Sequence, residues 1–390
     1  MDNINLLDPA LFVARQEHDL FARLRAEDPV HFHAEADGGP GFWAVTRYDD
    51  CKEMLLNHEV FINGKGTQIK DKRAEGHGAP SIHNMDAPRH AKMRARGLAG
   101  IRRSHLADLA GDIAVTIDRL LDGCPRGETF DFVEKVALPL PMLVIGELLG
   151  VPEADRPLTV DWANTMTNSL ASEAEHVKAR GELFSYFRDL VARKRADPGN
   201  DFATILSKAE IDGEALTEEE LDAWFMVLTA AGNETTRFLV SGGVEQLCLA
   251  PDQMAALRED IGLIPAAVEE MARWVSPVMM MRRTAAADIE LGGKSIKAGD
   301  KVVAYFVSAN RDESVFYESQ KFDSLRRENP HLGFGIGAHF CFGAPVARLE
   351  AKLLFEKIFD RFKSVELVEP GTKIRSNWFS GYSALPVRWS

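Results

Sequence analysis

The chain has 390 residues, of which 45% are hydrophobic, 27% charged and 8% aromatic, and this composition excludes disorder over most of its length. A formal net charge of −13 argues against a general affinity for nucleic acid or anionic membranes, because both favour a basic surface. The length exceeds that of a usual single domain. The sequence nevertheless contains no internal repeat, low-complexity tract or flexible linker, so we expect one domain over residues 1–390.

Neither a signal peptide nor a membrane-spanning helix is evident in the first thirty residues, which mix charges into every short apolar run. We therefore expect a cytoplasmic protein without a membrane anchor. Four cysteines are scattered along the chain at Cys51, Cys124, Cys248 and Cys341. Their spacing is typical of neither a disulfide framework nor a zinc site, so each cysteine needs its own explanation.

In chain order, the first elements are two short strands, Val30–His33 and Phe42–Val45, which flank the turn-forming residues 36–40 and predict a hairpin. Residues 61–82 are rich in glycine and predict a long, functional loop. Apolar residues spaced three and four apart predict helices, among them 133–149, 182–195, 217–249, 264–274 and 345–362. Residues 289–303 predict a second extended region with glycine turns. The expected fold class is mostly α with a small β portion.

The helix at 217–249 carries two local signals. Thr217 and Glu220 form a capping-box pattern, which predicts where the helix begins. The residues AAGNETT at 230–236 then interrupt the apolar pattern, because Gly232 is a poor helix former and Glu234 and Thr235 are polar. Taken alone, this segment indicates no more than a weak point on a partly exposed helix.

Glu270 and Arg273 lie three residues apart, a spacing that places both side chains on one helical face. Such pairs are common on solvated surfaces, where they contribute only about 0.2–0.5 kcal/mol. Without further context the pair indicates an exposed ion pair.

Three glycines and one histidine surround a cysteine in the segment FGIGAHFCFG at residues 334–343. Glycine lets the backbone adopt positive φ and approach a flat ligand closely, and Pro345 suits the first turn of the helix that follows. Cys341 would then lie at a helix N-terminus, which favours the thiolate that an iron ion requires. A lone cysteine of this kind can also be a small buried hydrophobic residue.

The ten residues resemble the haem-binding loop of the cytochrome P-450 family, FxxGxHxC with a trailing glycine. The resemblance runs from about residue 19 to the C-terminus and is weakest at about 155–200. It implies the triangular helical prism of that family with a small sheet, and haem b as the cofactor. Cys341 would bind the iron, with Phe334, Gly335 and Gly343 around the haem.

Residues 231–235 resemble the distal helix of the same family, in which a small residue and a glycine precede an acid and a threonine. The resemblance implies that Glu234 and Thr235 are catalytic. Thr235 would hydrogen-bond dioxygen, and Glu234 would connect it to a chain of water molecules. Ala231 would lie beside the haem, where small residues leave room for dioxygen.

The resemblance also implies a set of side chains that bind the haem propionates. Residues 85–94 resemble the family segment that supplies His90 and Arg94, and Arg283 matches the propionate arginine. His339 completes the set. Each could instead be a solvated charge or a satisfied histidine, and the adjacent Arg282 could take the role of Arg283.

In the same way, Glu270 and Arg273 resemble a buried pair of the family, to which Arg326 is expected to add a second arginine. The implied role is structural, as an ion network that is costly to break from one side.

The implied activity is insertion of one oxygen atom from O2 into an apolar small molecule. Terpenoid, steroid, alkyl and aromatic substrates all stay open. The pocket candidates by position are Leu228, Ala231, Val278, Met279 and Phe379. The methionines at 279–281 could equally fill the core. A haem-thiolate peroxygenase or isomerase, and a haem-binding sensor, are the alternatives, although the Glu234–Thr235 pair argues against the first.

Electrons are expected from a separate ferredoxin with its reductase. The arginines that follow or flank the haem-binding segments are candidates for a locally basic docking face, and they are Arg96, Arg102, Arg103 and Arg348. They could alternatively be solvated or bind propionates.

Overall fold

Helices dominate the chain, which a computed structural model describes over residues 5–35, 38–70, 79–167 and 171–390. The α-helices are α1 (Pro9–Val13), α2 (Glu17–Glu27), α3 (Tyr48–Leu56), α4 (Arg89–Gly97), α5 (Arg103–Asp122), α6 (Pro139–Leu149), α7 (Arg156–Thr167), α8 (Glu173–Ala196), α9 (Phe202–Ser207), α10 (Glu218–Leu249), α11 (Pro251–Glu259), α12 (Ile264–Val275), α13 (Phe306–Ala309) and α14 (Ala344–Arg361). The strands are β1 (Val30–His33), β2 (Phe42–Val45), β3 (Phe61–Ile62), β4 (Thr129–Asp131), β5 (Glu210–Ile211), β6 (Glu214–Ala215), β7 (Met280–Ala285), β8 (Ile289–Leu291), β9 (Lys294–Ile296), β10 (Lys301–Tyr305), β11 (Val365–Leu367), β12 (Thr372–Lys373), β13 (Tyr382–Ala384) and β14 (Pro386–Trp389). The prediction of a mostly α chain with a small β portion is confirmed.

The residues divide into two compact units that are interleaved along the chain. Unit 1 comprises Met1–Ala74, Phe238–Phe342 and Glu369–Leu385, and unit 2 comprises Glu75–Arg237, Gly343–Val368 and Pro386–Ser390. Helix α10 contributes residues to both units. The prediction of one domain over residues 1–390 stays a prediction.

The sheet of unit 1 has five strands in the order β1-β2-β10-β7-β3. Strands β1 and β2 pair antiparallel and have the predicted bounds, whereas the predicted turn residues 36 and 37 lie outside the described residues. Strand β10 runs parallel to β2 and antiparallel to β7. The central strand β10 is buried along its whole length, which is why it reads as an apolar run.

Alternate side chains of this sheet enter two different apolar clusters, as strand geometry requires. Val302 and Ala304 belong to a cluster with Ala285, on a face that we call the Val302 face. Val303 and Tyr305 belong to a cluster with Met280, on the opposite face, which we call the Val303 face. Each side chain of β7 therefore faces one cluster or the other according to its position.

The predicted loop 61–82 begins as a strand, because Phe61 and Ile62 pair with Ala285 and Thr284 of β7. The part of this prediction at residues 71–78 lies outside the described residues. In the extended region predicted at 289–303, β8 and β9 form a hairpin through Gly292 and Gly293, which have φ of +55° and +75°. The glycines thus occupy turn positions, as predicted.

In unit 2, helices α5 to α9 pack in succession and α14 packs along α5. Lys357 and Arg361 of α14 bind Asp118 of α5, at 2.7 and 3.1 Å. A three-stranded sheet with the order β11-β14-β4 completes this unit.

Two helix predictions differ from the structure, and a third is confirmed where its apolar pattern is interrupted. The predicted helix 133–149 is split into a π-helical turn, Val133–Ala137, and α6, because Pro139 lacks an N–H group and begins a new helix. Helix α8 begins nine residues before the predicted 182, at a capping box formed by Ser172 and Glu175. Helix α10 is unbroken through residues 230–236, so the expected interruption of its pattern does not break the helix.

The other helix predictions fit closely. The capping box of α10 is present, with hydrogen bonds of 3.1 and 3.2 Å between Thr217 and Glu220. Helices α12 and α14 agree with the predicted 264–274 and 345–362 within one residue at each end.

Candidate active site

The loop at residues 334–343, which we call the cysteine loop, is held by its own backbone hydrogen bonds. The Cys341 amide donates to the Phe334 carbonyl at 2.8 Å, and the Phe340 amide donates to the Gly337 carbonyl at 3.1 Å. Gly335 and Gly337 have φ of +68° and +75°, in the left-handed region that favours glycine. A Cβ atom at Gly337 would lie 2.9 Å from a backbone oxygen of unit 1. The glycine pattern therefore has the backbone reason that the sequence indicated.

The four cysteines differ in their surroundings. Burial raises the pKa of the Cys51 thiol, which donates to the Val45 carbonyl, so this cysteine stays a protonated core residue. Burial raises the pKa of Cys124 to about 11. Cys341 is partly exposed, lies in the cysteine loop and precedes helix α14, which begins at Ala344. Its soft sulfur and the glycine-rich backbone around it fit a haem with a thiolate ligand.

On helix α10, Thr235 and Ala231 lie one turn apart. The Thr235 hydroxyl donates to the Ala231 carbonyl at 2.9 Å. Within unit 2, Ala231 is exposed and Leu228 is half-buried, so these three residues form one accessible stripe of the helix. Gly232 faces elsewhere, because a Cβ atom there would lie 2.4 Å from Cδ1 of Ile145 on α6. In this unit, Gly232 therefore allows the close packing of α10 against α6.

Glu234 has an ion partner that the sequence reasoning missed. A guanidinium nitrogen of Arg237, three residues along α10, lies 3.3 Å from Oε1 of Glu234. Both side chains are mostly buried, with 14% and 17% exposure. Burial raises the pKa of Glu234, and the positive charge of Arg237 lowers it in part. The signal was the three-residue spacing, which places both groups on one helical face.

The residues predicted for the haem propionates lie on well-defined elements. In unit 2, His90 is buried on α4 and Arg94 is half-buried one turn later. In unit 1, His339 ends the short 3-10 turn of the cysteine loop, and Gly343 is the N-cap of α14 in unit 2. Both α4 side chains share one face, as the spacing predicted.

The adjacent arginines of β7 lie on opposite faces of the sheet. Arg283 alternates with Arg282 and lies on the same side as Ala285, which is the Val302 face. Ile336 of the cysteine loop packs against that same face. A guanidinium nitrogen of Arg283 donates to the Arg282 carbonyl at 2.9 Å. Within unit 1, only Arg283 of the two thus lies on the face against which the cysteine loop packs.

The predicted ion network around Glu270 is present in unit 1. Two guanidinium nitrogens of Arg273, Nε and Nη2, donate to Glu270 at 2.7 Å, and neither side chain is exposed. Arg326 donates to the same carboxylate at 3.1 Å. A second buried arginine, Arg311, lies 3.8 Å over the ring of Trp274, and its desolvation lowers its pKa to about 9. Sequence spacing gave no signal for Arg311.

Two of the pocket candidates in unit 1 pair directly through their backbones. Val278 and Phe379 form an isolated antiparallel bridge, and both side chains are half-buried. Met279 is only 1% exposed and lies in the apolar cluster of the Val303 face. This burial favours the core interpretation for Met279, whereas Val278 and Phe379 keep accessible surface.

Known proteins match this chain over nearly its full length. A family model described as Cytochrome P450 matches residues 144–381. A putative cytochrome P450 126 from Mycobacterium tuberculosis is 38% identical, over 99% of this chain and 97% of its own. The chain belongs to the cytochrome P450 family. Linalool 8-monooxygenase from Pseudomonas putida is 36% identical to this cytochrome P450 over 99% of each chain. The crystal structure of CYP108D1 from Novosphingobium aromaticivorans has a TM-score of 0.90 with it at 33% identity, over 99% of this chain and 97% of that one.

As a cytochrome P450, the chain has the fold of that family, uses haem b as its cofactor and is an oxidoreductase of the monooxygenase type. None of the helices in the described ranges is long and apolar enough to span a membrane.

Proposed function

We propose that this cytochrome P450 hydroxylates an apolar small molecule, with Cys341 as the iron ligand and with Glu234 and Thr235 delivering protons. The haem supplies the reductive activation of dioxygen, after which one oxygen atom enters the substrate. The observation that carries the proposal is the arrangement on α10, where a threonine hydroxyl on an accessible stripe adjoins a mostly buried acid with a cationic partner.

The hydroxyl proton of Thr235 points to the Ala231 carbonyl oxygen. Because Oγ1 donates to the Ala231 carbonyl at 2.9 Å, its lone pairs stay available to accept a further hydrogen bond. Rotation about one side-chain bond would release the proton for donation on the same stripe. This bond gives the hydroxyl a resting orientation and gives the Ala231 carbonyl a side-chain donor within one turn of the helix.

Glu234 is placed to take part in proton transfer. Burial raises the pKa of its carboxyl group above the ordinary value, and the positive charge of Arg237 lowers it in part. We propose that this carboxyl group donates and accepts protons during turnover and that Arg237 tunes its pKa.

A test of the reaction type compares two ways of driving turnover. With a surrogate ferredoxin, its reductase and O2, we expect oxygenated product in proportion to the electrons consumed. Product formation from hydrogen peroxide at an equal rate without any electron donor would instead support a peroxygenase. A protein that binds haem but yields no product under either condition would be a sensor or carrier.

Linalool is a suitable first substrate to test, because a relative with 36% identity is named for acting on it. The candidate pocket residues of this chain are apolar, as such a molecule requires. They are Leu228, Ala231, Val278 and Phe379. We expect linalool to shift the haem absorbance, and a steroid at equal concentration is the comparison. A larger shift with the steroid would contradict this substrate class.

Electrons are proposed to come from an acidic ferredoxin that docks on basic residues of unit 2. Arg96, Arg102 and Arg103 are exposed and Arg348 is half-buried. Arg102 and Arg103 flank the start of α5, and neither forms a salt bridge with another described residue. In contrast, Lys357 and Arg361 on α14 are neutralised by Asp118. Arg102 and Arg103 are therefore the better docking charges.

Charge reversal tests the docking face. Arg102→Glu with Arg103→Glu should slow the first reduction by ferredoxin and remove its dependence on ionic strength, while substrate binding stays intact. Lys208→Glu is the matched control, because Lys208 is an exposed cation elsewhere in unit 2. Equal rates for the wild type and the arginine variant at low salt would rule out this face.

A further inference from the structure

The contacts of Arg282 separate it from the haem-binding set. Its guanidinium donates from Nη1 to the carbonyls of Gln68 and Ile69, at 3.2 and 3.4 Å, and from Nη2 to Oγ1 of Thr284 at 3.2 Å. The Arg282 backbone amide donates to the Thr67 carbonyl at 3.0 Å. The side chain is only 3% exposed. One residue therefore binds three successive residues of the predicted pocket loop.

The path of the chain explains why these carbonyls need a donor. After Ile62 leaves its pairing with β7, the chain turns through a bond from the Gly66 amide to the Asn63 carbonyl, at 2.8 Å and with φ of +117° at Gly66. It then returns along β7 at Thr67. Buried carbonyls beyond a strand pairing require other donors. The planar fork of an arginine supplies several of them at once.

The carbonyl of Ile69 binds Arg282, and the side chain of Ile69 lies in the apolar core. It is 3% exposed and belongs to the cluster of the Val303 face together with Met279, and Trp378 packs against the same cluster. The neighbours of these two residues, Val278 and Phe379, form the backbone bridge of the candidate pocket. Arg282 therefore helps to position Ile69, and Ile69 in turn packs in the cluster that adjoins Val278 and Phe379.

We propose that Arg282 is a positioning residue that fixes the segment Thr67–Ile69 against the apolar cluster that adjoins the pocket candidates Val278 and Phe379, and that it takes no part in binding haem. The inference rests on the proposed function, since it assigns a residue that supports the pocket of that reaction. Its neighbour Arg283 provides the internal comparison, because it has the same chemistry on the opposite face of the same strand.

The experiment uses the haem-loaded full chain with Arg282→Met, Arg282→Lys and Thr284→Val, and with Arg283→Met as the matched control. Three quantities are measured, which are haem content, hydrogen exchange of the peptide that spans residues 63–70, and affinity for imidazole and 4-phenylimidazole. Both probes bind haem iron through nitrogen, but only the second also needs space in the pocket. The reduced carbon monoxide spectrum is recorded on the same samples.

Arg282→Met should keep full haem content, speed exchange of this peptide by about tenfold and weaken 4-phenylimidazole binding by about tenfold, because it removes bonds from a charged donor. Imidazole affinity should stay unchanged. Arg282→Lys and Thr284→Val should give smaller changes in the same direction, and they decide the matter if the methionine variant does not fold. Arg283→Met should lose haem instead.

Unchanged exchange in all three Arg282 and Thr284 variants, or haem loss in Arg282→Lys to the extent seen in Arg283→Met, would overturn the inference. A wild-type protein without a thiolate-type carbon monoxide spectrum would instead defeat the proposed function. Normal wild-type spectra together with unchanged exchange would leave the proposed function standing and remove only the role of Arg282.

Discussion

Replacement of Glu270 by alanine would break an ion network of unit 1 whose central pair, Glu270 and Arg273, is fully buried. The carboxylate accepts two hydrogen bonds of 2.7 Å from Arg273, one of 3.1 Å from Arg326 and one of 3.2 Å from Asn329. It also accepts the backbone amide of Asp323 at 2.8 Å. Alanine would remove all five acceptor contacts and leave the Arg273 charge in the core.

The expected loss of stability depends on the contacts that Arg273 keeps after the replacement. Breaking a buried pair from one side costs about 3–5 kcal/mol, a large part of the roughly 5–15 kcal/mol that stabilises a native protein. The Arg273 guanidinium keeps hydrogen bonds to three backbone carbonyls, which belong to Asn310, Ser319 and Lys321. These partly solvate the charge, so we expect a loss near 3 kcal/mol.

The assay is the yield of soluble, haem-loaded protein together with its melting temperature. Glu356→Ala is the matched control, because Glu356 pairs with Lys352 at 2.8 Å one turn apart on α14 with 24% and 39% exposure. That pair should contribute less than about 1 kcal/mol. Full haem incorporation and an unaltered melting temperature in Glu270→Ala would refute the reasoning from burial.

Further outcomes can be measured on single variants. Cys341→Ser should abolish the thiolate-type spectrum of the reduced carbon monoxide complex, because a hydroxyl is a poor ligand for this iron chemistry; a retained spectrum would exclude Cys341 as the ligand. Thr235→Ala should retain haem but divert electrons to peroxide, and an unchanged ratio of product to electrons consumed would contradict its role. Glu234→Gln should mainly slow turnover. Arg237→Met removes the charge that lowers the pKa of Glu234, so the carboxyl group should stay protonated to higher pH, as followed by infrared titration with Glu234→Gln for assignment. Arg237→Lys should restore the wild-type titration of Glu234. Identical titration curves for the wild type, Arg237→Met and Arg237→Lys would disprove the coupling.

Local sequence patterns predicted an element correctly where the pattern itself determines the backbone conformation. The hairpin strands and the start of α10 were predicted correctly, because alternation and a capping box each have one structural solution. The start of α8 was missed although Ser172 and Glu175 form the same capping pattern. A π-helical turn before Pro139 could not be predicted, because apolar spacing alone does not distinguish it from a continuous helix.

The site residues show a similar division. Cys341 and its glycines form a continuous segment, so the sequence contained the whole signal. The different surroundings of Arg282 and Arg283 depend on which strand lies beside β7 and on what covers each face of the sheet. Neither fact is local in sequence. Gly232 was predicted only as a weak point of the helix, because its contact with Ile145 depends on how closely α6 approaches and is not local in sequence.

Helix α10 and the interleaved path of the chain have a consequence for how this protein unfolds. Residues 218–237 of the helix belong to unit 2 and residues 238–249 to unit 1, and each unit is assembled from three separate stretches of chain. Neither unit can be excised as a continuous fragment, and neither can melt without fraying a helix that the other also needs. We therefore expect a protease nick within α10 to interrupt a helix to which both units contribute residues, which limited proteolysis can test.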